Sequence, residues 1–179
     1  MSVCEAEWLR RYIDGEQAAL SQLINRFRDP LIRFLFNYLK NEAEAEDIAA
    51  EVLAELALHP ERYRGTVTLK TYLFMLAKSR ALNRMRRRSF RLTIGLDDAP
   101  TLTDCADTPE EHLLRSERQK EVRAALRRIK DDYRTVLHLI YVEELSYEEA
   151  GHVLGKSRKQ IENLVYRAKQ AAKNEMDPS

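Results

Sequence analysis

Two short signatures near the C-terminal end restrict the fold of this chain more than any other feature: Ser146 followed by Glu149, and Ser157 followed by Gln160. Each is a capping box, in which a serine and an acidic or amide side chain three residues later satisfy each other's backbone N–H groups at a helix start. The first predicts a helix from Tyr147 that can run only about two turns before Gly155. The second predicts a longer helix with Ile161, Leu164, Val165 and Ala168 inward. Two capped helices joined by a tight glycine turn make a helix-turn-helix. The outward face of its second helix carries Arg158, Lys159, Asn163, Tyr166, Arg167 and Lys169. The first turn offers Arg158, Lys159 and Gln160, side chains able to read base edges in a major groove, and its free amides can hold a phosphate. An ordinary helical hairpin with a solvated charged face is the competing reading.

Helical periodicity also runs through the first half. Trp8, Leu9 and Tyr12 suit a short helix ended by Asp14-Gly15. A second begins near Glu16, and Pro30 is expected to divide it or restart it, with Leu31, Phe34, Leu35, Tyr38 and Leu39 along one face. Ala45, Ile48, Ala49, Val52 and Leu56 mark a third, stopped by His59-Pro60. After a loop over 61–68, Thr68 caps a fourth helix with Leu69, Tyr72, Leu73, Leu76 and Ala77 on its buried stripe. Helical patterning disappears from Ile94 to Pro109, an acidic stretch that reads as a linker. Past Glu110, Val122, Ala125, Leu126 and Ile129 mark one helix, and Val136, Leu137, Ile140 and Tyr141 the next. The expected architecture is all-α: a helical domain over 1–93, an acidic linker over 94–109, and a four-helix, wingless helix-turn-helix domain over 110–179. With five Gly and five Pro in 179 residues, turn material is scarce enough to agree.

Net charge is only +1, so total charge does not argue for nucleic acid. Its distribution does. Ten basic residues and no acidic one lie between Arg62 and Arg91, including Arg80, Arg84, Arg87 and Arg91 at helical spacing. Such a stripe suits phosphates, and Tyr63, Tyr72 and Phe90 lie among its charges, where they can stack on unpaired bases. Tyr72 fits the buried stripe equally well, which makes Tyr63 the better stacking candidate. Acidic blocks stand apart: Glu42, Glu44, Glu46, Asp47, Glu51 and Glu55, then Asp97, Asp98, Asp104, Asp107, Glu110 and Glu111. Opposed patches of this kind suggest different partners on different faces.

Other function classes find little support. Cys4 and Cys105 read as free thiols in a reducing cytoplasm, and His59, His112, His138 and His152 form no ligand set. Gly155-Lys156-Ser157 lacks the strand and preceding glycines of a phosphate loop. Glu148, Glu149 and His152 read as a solvated helix surface. The charged N-terminal stretch and the lack of a long apolar run lead to the expectation of neither export nor membrane spanning. A cytoplasmic protein without catalytic residues, metal or cofactor is expected.

In combination these segments resemble the sigma-70 superfamily, specifically its small extracytoplasmic-function (ECF) group, over roughly Leu20 to Ala172. Ala45-Glu46-Asp47-Ile48-Ala49-Ala50-Glu51 is similar to the family's acidic "AEDLVQE", with Ala50 in place of Gln. The resemblance implies that Asp47, Ile48 and Glu51 dock on the clamp helices of the RNA polymerase largest subunit. Tyr63-Arg64-Gly65 and Thr71 to Asn83 resemble "FRG…TWLYRIARNLALD", with Tyr72 for Trp, Ser79 for Asn and Asn83 for Asp. That implies recognition and melting of a minus-ten element by Tyr63, Arg64, Tyr72, Arg80, Asn83, Arg84 and Arg87. Tyr133 to Glu149 resembles "YREVLLLRYVEGLSYEE" and leads into the helix-turn-helix. It implies minus-thirty-five reading by Ser157, Arg158, Lys159, Gln160, Asn163 and Arg167. Ala150-Gly151 replaces the usual Ile-Ala, which is expected to loosen the first helix of the motif. Core RNA polymerase and promoter DNA are the implied partners, with an anti-sigma factor as a further one, and the linker is implied to enter the polymerase cleft. The alternative is a helix-turn-helix regulator that recruits no polymerase.

Overall fold

The computed structural model describes residues 3–93 and 117–176, and all regular structure among them is helical. The chain divides into two compact units between residues 103 and 104, as an all-α two-domain chain requires. The acidic linker expected over 94–109 and the domain start near Glu110 lie outside the described residues.

The first unit contains α1 (Val3–Ile13), α2 (Gln17–Leu39), α3 (Glu42–Leu58), a 3-10 turn (Pro60–Arg62) and α4 (Leu69–Thr93). α2 is the centre, packed against each of the other three helices. Pro30 neither divides nor restarts it: the helix runs through. An interior proline costs about 3 kcal/mol through its lost N–H and ring clash. Around it Phe27, Leu31, Phe34 and Leu35 are fully buried, and each such burial contributes about 1.5–3 kcal/mol. Tertiary packing therefore outweighs the local cost. α3 starts at Asn41, whose side chain accepts the Glu44 N–H at 3.0 Å, and buries Ala45, Ile48, Ala49, Val52, Leu53 and Leu56 against α2 and α4. Thr68 caps α4 as expected, its hydroxyl accepting the Thr71 N–H at 3.3 Å. The buried α4 face is Leu69, Leu73, Phe74, Ala77 and Ala81, whereas Tyr72 and Leu76 are only half-buried at its margin.

The second unit contains α5 (Glu117–Arg128), α6 (Asp131–Leu137), a π turn (His138–Val142), α7 (Tyr147–Leu154) and α8 (Arg158–Met176). α8 is the hub here, contacting α5, α6 and α7. Arg134 closes the end of α5 by donating to the carbonyls of Leu126 at 2.8 Å and Arg127 at 2.9 Å. The π turn corrects the expected α6 stripe. A π turn accommodates one more residue than an α turn and so shifts the helical phase. Val136 and Leu139 are buried, Leu137 and Ile140 are half-buried, and Tyr141 is 53% exposed. Val122, expected inside, also lies at the surface.

The helix-turn-helix is formed by α7, the turn at Gly155 and α8. At the start of α7 Ser146 and Glu149 make the reciprocal capping box. Gly155 ends the helix in the left-handed region at φ +68, its N–H donating to the Gly151 carbonyl. The same carbonyl receives the Lys156 N–H at 3.0 Å. Gly151 does not loosen α7. A Cβ there would lie 2.6 Å from the Lys156 carbonyl oxygen, so the missing side chain is what lets the turn fold back closely. Gly151→Ala is therefore expected to destabilise this unit. Overpacking against backbone typically costs about 1–3 kcal/mol, against about 1 kcal/mol gained in helix propensity. The expected difference is a net loss of up to about 2 kcal/mol, towards the upper end because the clash is with backbone, read as a lower urea midpoint at unchanged m; a raised midpoint contradicts the close-approach account.

Candidate nucleic-acid interface

The α8 face follows from helix geometry. Ile161, Val165 and Ala168 are buried, so Lys159, Asn163 and Arg167, at spacings of four, line the exposed side. Two of the other polar side chains near the start have another task. Gln160 Oε1 accepts the Ser157 N–H at 2.8 Å, and Ser157 Oγ accepts the Gln160 N–H at 3.3 Å. Both serve the cap, and the Gln160 oxygen that a bidentate adenine contact uses is turned back to the backbone. Arg158 Nε lies 3.2 Å from Glu162 Oε1, with the side chains 71% and 45% exposed. Exposed pairs of this kind contribute only about 0–1 kcal/mol and exchange readily for a phosphate or guanine. Arg158 and Lys159 are thus the first-turn groups available to DNA. Tyr166 adds an exposed ring to the helix, and Lys169 is anchored by Tyr141, with its ammonium 5.0 Å from the ring centroid. Hydrogen bonding to Tyr141 raises the Lys169 pKa above its ordinary value.

The basic stretch of the first unit is not one continuous phosphate-binding stripe. Arg80, Arg84 and Arg88, four residues apart on α4, face Glu44, Glu51 and Glu55 on α3. Arg80 donates to Glu51 at 2.8 Å and also to Glu55. Arg84 lies 3.5 Å from Glu51 and 3.9 Å from Glu44, and Arg88 lies 3.7 Å from Glu44. Glu55 takes a further bond from Arg62 at 2.7 Å. Hydrogen bonds from Arg80 and then Arg62 hold the Glu55 pKa below the ordinary carboxylate value. Burial works against the Arg80 charge, but its bonds to Glu55 and Glu51 outweigh that and raise its pKa.

Three sequence expectations change as a result. The acidic and basic blocks do not face separate partners throughout, because Glu44, Glu51 and Glu55 meet Arg80, Arg84 and Arg88 across the α3–α4 seam. Arg80 and Arg84 are committed to that seam, while Arg64, Asn83, Arg86, Arg87 and Arg91 are exposed. Of the expected polymerase contacts, Ile48 is 1% exposed and fixes α3 from inside. Glu51 is tied to Arg80 and Arg84, whereas Asp47 stands exposed. Sequence could not assign these roles, since the pairing depends on how two helices distant in sequence are aligned.

Tyr63 and Tyr72 are brought together. Their ring centroids lie 5.4 Å apart at an interplanar angle of 50°. The Tyr63 hydroxyl donates to the Val67 carbonyl at 2.8 Å, which folds the loop back beside exposed Arg64. Burial, with the Glu5 carboxylate second, raises the Tyr63 pKa; burial, with Glu55 second, raises that of Tyr72. Both phenols are therefore neutral near pH 7 and bring no negative charge to a nucleic-acid strand. Phe90, the third aromatic of the basic stretch, is exposed. Among the described residues no group of three or more His, Cys, Asp or Glu could hold a metal ion, and no helix is long and apolar enough to cross a membrane.

Comparison with known proteins covers both units. The family model for Sigma-70 region 2 matches residues 23–91, and that for Sigma-70, region 4 matches residues 119–171. The chain is 27% identical over 163 residues to RNA polymerase sigma factor YlaC of Bacillus subtilis, covering 90% of this chain and 94% of that one. It is 24% identical over 170 residues to ECF RNA polymerase sigma factor SigW of the same organism, covering 90% and 91%. The fold is shared with the sigma factor RpoE of Bartonella quintana, solved in complex with the anti-sigma factor NepR. That match has a TM-score of 0.66 at 21% identity and covers 87% of this chain and 94% of that chain. Two matched regions in the right order, one holding the paired tyrosines and the other the helix-turn-helix, place this chain in the sigma-70 superfamily as an ECF-type RNA polymerase sigma factor.

Proposed function

We propose that this sigma factor divides promoter recognition between its two units and meets core RNA polymerase through the open side of α3. Lys159, Asn163 and Arg167, with Arg158 at the helix start, read the duplex minus-thirty-five element. Tyr63 and Tyr72, with Arg64 in the same loop as Tyr63, receive an unpaired base of the minus-ten element, and Asn83 and Arg87, about three to four turns farther along α4, follow the strand beyond it. Opening is then driven by binding energy, with no covalent step. The carrying observation is the tyrosine pair, two neutral rings held beside an exposed arginine in a unit separate from the helix-turn-helix. A regulator that reads only duplex DNA has no use for it. An anti-sigma factor is a further partner of the chain, as RpoE was solved in complex with the anti-sigma factor NepR, and the chain's role on RNA polymerase belongs to the cytoplasm.

Asp47 supplies the test of core docking. Glu51 is unsuitable, because an arginine there would sit beside Arg80 and Arg84 and disrupt the fold. Asp47→Arg alters only an exposed position. It is expected to weaken core polymerase binding roughly tenfold by like-charge contact, with unfolding unchanged. Fluorescence titration against core enzyme checks this, and an unaltered affinity removes α3 as the docking face. Co-purification of the parent chain with core polymerase, together with promoter-dependent transcription, tests the wider assignment.

A further inference from the structure

We infer that Glu55 is the positioning residue of the single-strand site: it ties the loop that carries Tyr63 to the helix that carries Tyr72. This rests on the proposed role of the two tyrosines. Glu55 occupies the last turn of α3, with its side chain only 15% exposed. One carboxylate oxygen accepts from Arg62, in the 3-10 turn immediately before Tyr63, at 2.7 Å. The other accepts from Arg80, two helical turns beyond Tyr72 on α4. A single carboxylate therefore joins three elements: the end of α3, the start of the loop and the middle of α4. The Tyr63 hydroxyl fastens the other side of the loop to Val67 at 2.8 Å. Between these two attachments the rings lie 5.4 Å apart. Tyr72 senses the arrangement directly, since the charges of Glu55, Arg62 and Glu61 all act on its phenol.

The chemistry suits positioning better than DNA contact. A carboxylate repels phosphate, and this one lies at the seam with both oxygens occupied. Charge-assisted bonds to arginine are short, directional and stronger than neutral ones. Losing them leaves each helix core in place, because the apolar faces of α3 and α4 do not depend on Glu55. What changes is the freedom of the 3-10 turn, and with it the distance and angle between the two rings. A base that stacks on the pair then meets a site that has to be ordered at each binding event, and that ordering opposes affinity.

Glu55→Gln keeps the size of the side chain and removes its charge. Holoenzyme carrying this variant is titrated with a promoter fragment whose minus-ten strand is unpaired and carries 2-aminopurine, and separately with duplex upstream element. The expected result is roughly tenfold weaker binding of the unpaired fragment, a smaller fluorescence change at saturation, and upstream binding and core affinity within about twofold of the parent. Arg62→Met should act in the same direction, while Arg62→Lys, which restores a cation, should recover most of the loss. The Arg62 side chain is 56% exposed, so both variants fold. Equal weakening on both fragments, unchanged binding and fluorescence, or Arg62→Met indistinguishable from Arg62→Lys each overturns the positioning role. Tyr63→Ala separates the two levels of the argument. If it is silent on the unpaired fragment, the tyrosine reading itself fails; if it is impaired while Glu55→Gln is normal, only the Glu55 inference fails.

Discussion

Replacing Tyr63 with Ala is expected to weaken holoenzyme binding to a pre-opened promoter by about 1–3 kcal/mol, the typical loss for one base–aromatic stack. The upper half of that range is favoured, because the ring also braces Tyr72 at 5.4 Å and its hydroxyl holds the loop to Val67. One substitution thus removes a stacking surface, loosens the second ring and frees the loop. Binding to the isolated upstream duplex should not change, since that contact belongs to the other unit. On intact promoter DNA the same variant should bind its upstream element and open slowly. Comparing open-complex formation on intact and pre-opened templates at one salt concentration checks the claim. Normal binding and opening on both would remove Tyr63 from the site and leave the helix-turn-helix untouched. Tyr63→Phe keeps the ring and loses only the bond to Val67, so it should retain most of the affinity for the pre-opened template.

At the other site, Arg158→Ala should lower discrimination between a matched and a scrambled upstream duplex by about 1–3 kcal/mol, the value of one good bidentate contact to guanine. Its neighbours argue for this choice. Ser157 and Gln160 are engaged in the helix cap, and the exposed Glu162 that accompanies Arg158 offers only weak competition. Stability should hardly move. A phosphate contact has a different signature: affinity falls almost equally on both duplexes and the slope of log K against log salt becomes shallower by roughly 0.9. Unchanged affinity on both duplexes returns the α8 face to an ordinary solvated surface.

The parts of this protein legible in its sequence are those whose causes are local. Both capping boxes close over three residues, so Ser146–Glu149 and Ser157–Gln160 announce the two helices of the motif without reference to anything else. The Thr68 cap and the buried faces of α3 and α8 are equally plain, because a period of three to four residues needs only one helix to express it. Tertiary structure decided the rest. Pro30 reads as a break until the burial of Phe27, Leu31, Phe34 and Leu35 is weighed against it. Gly151 reads as a loosening until the Lys156 carbonyl is seen in the space where a Cβ would go. The charges changed meaning most. Along the chain, Glu44, Glu51 and Glu55 form part of an acidic block and Arg80, Arg84 and Arg88 part of a basic one, each apparently open to a partner. Only the packing of α3 beside α4 turns them toward each other. Coulomb energy depends on distance through space, and for residues so far apart in sequence that distance is set by the alignment of two helices on a shared core, which is why exposed Glu51 meets Arg80 and Arg84 while exposed Asp47 does not.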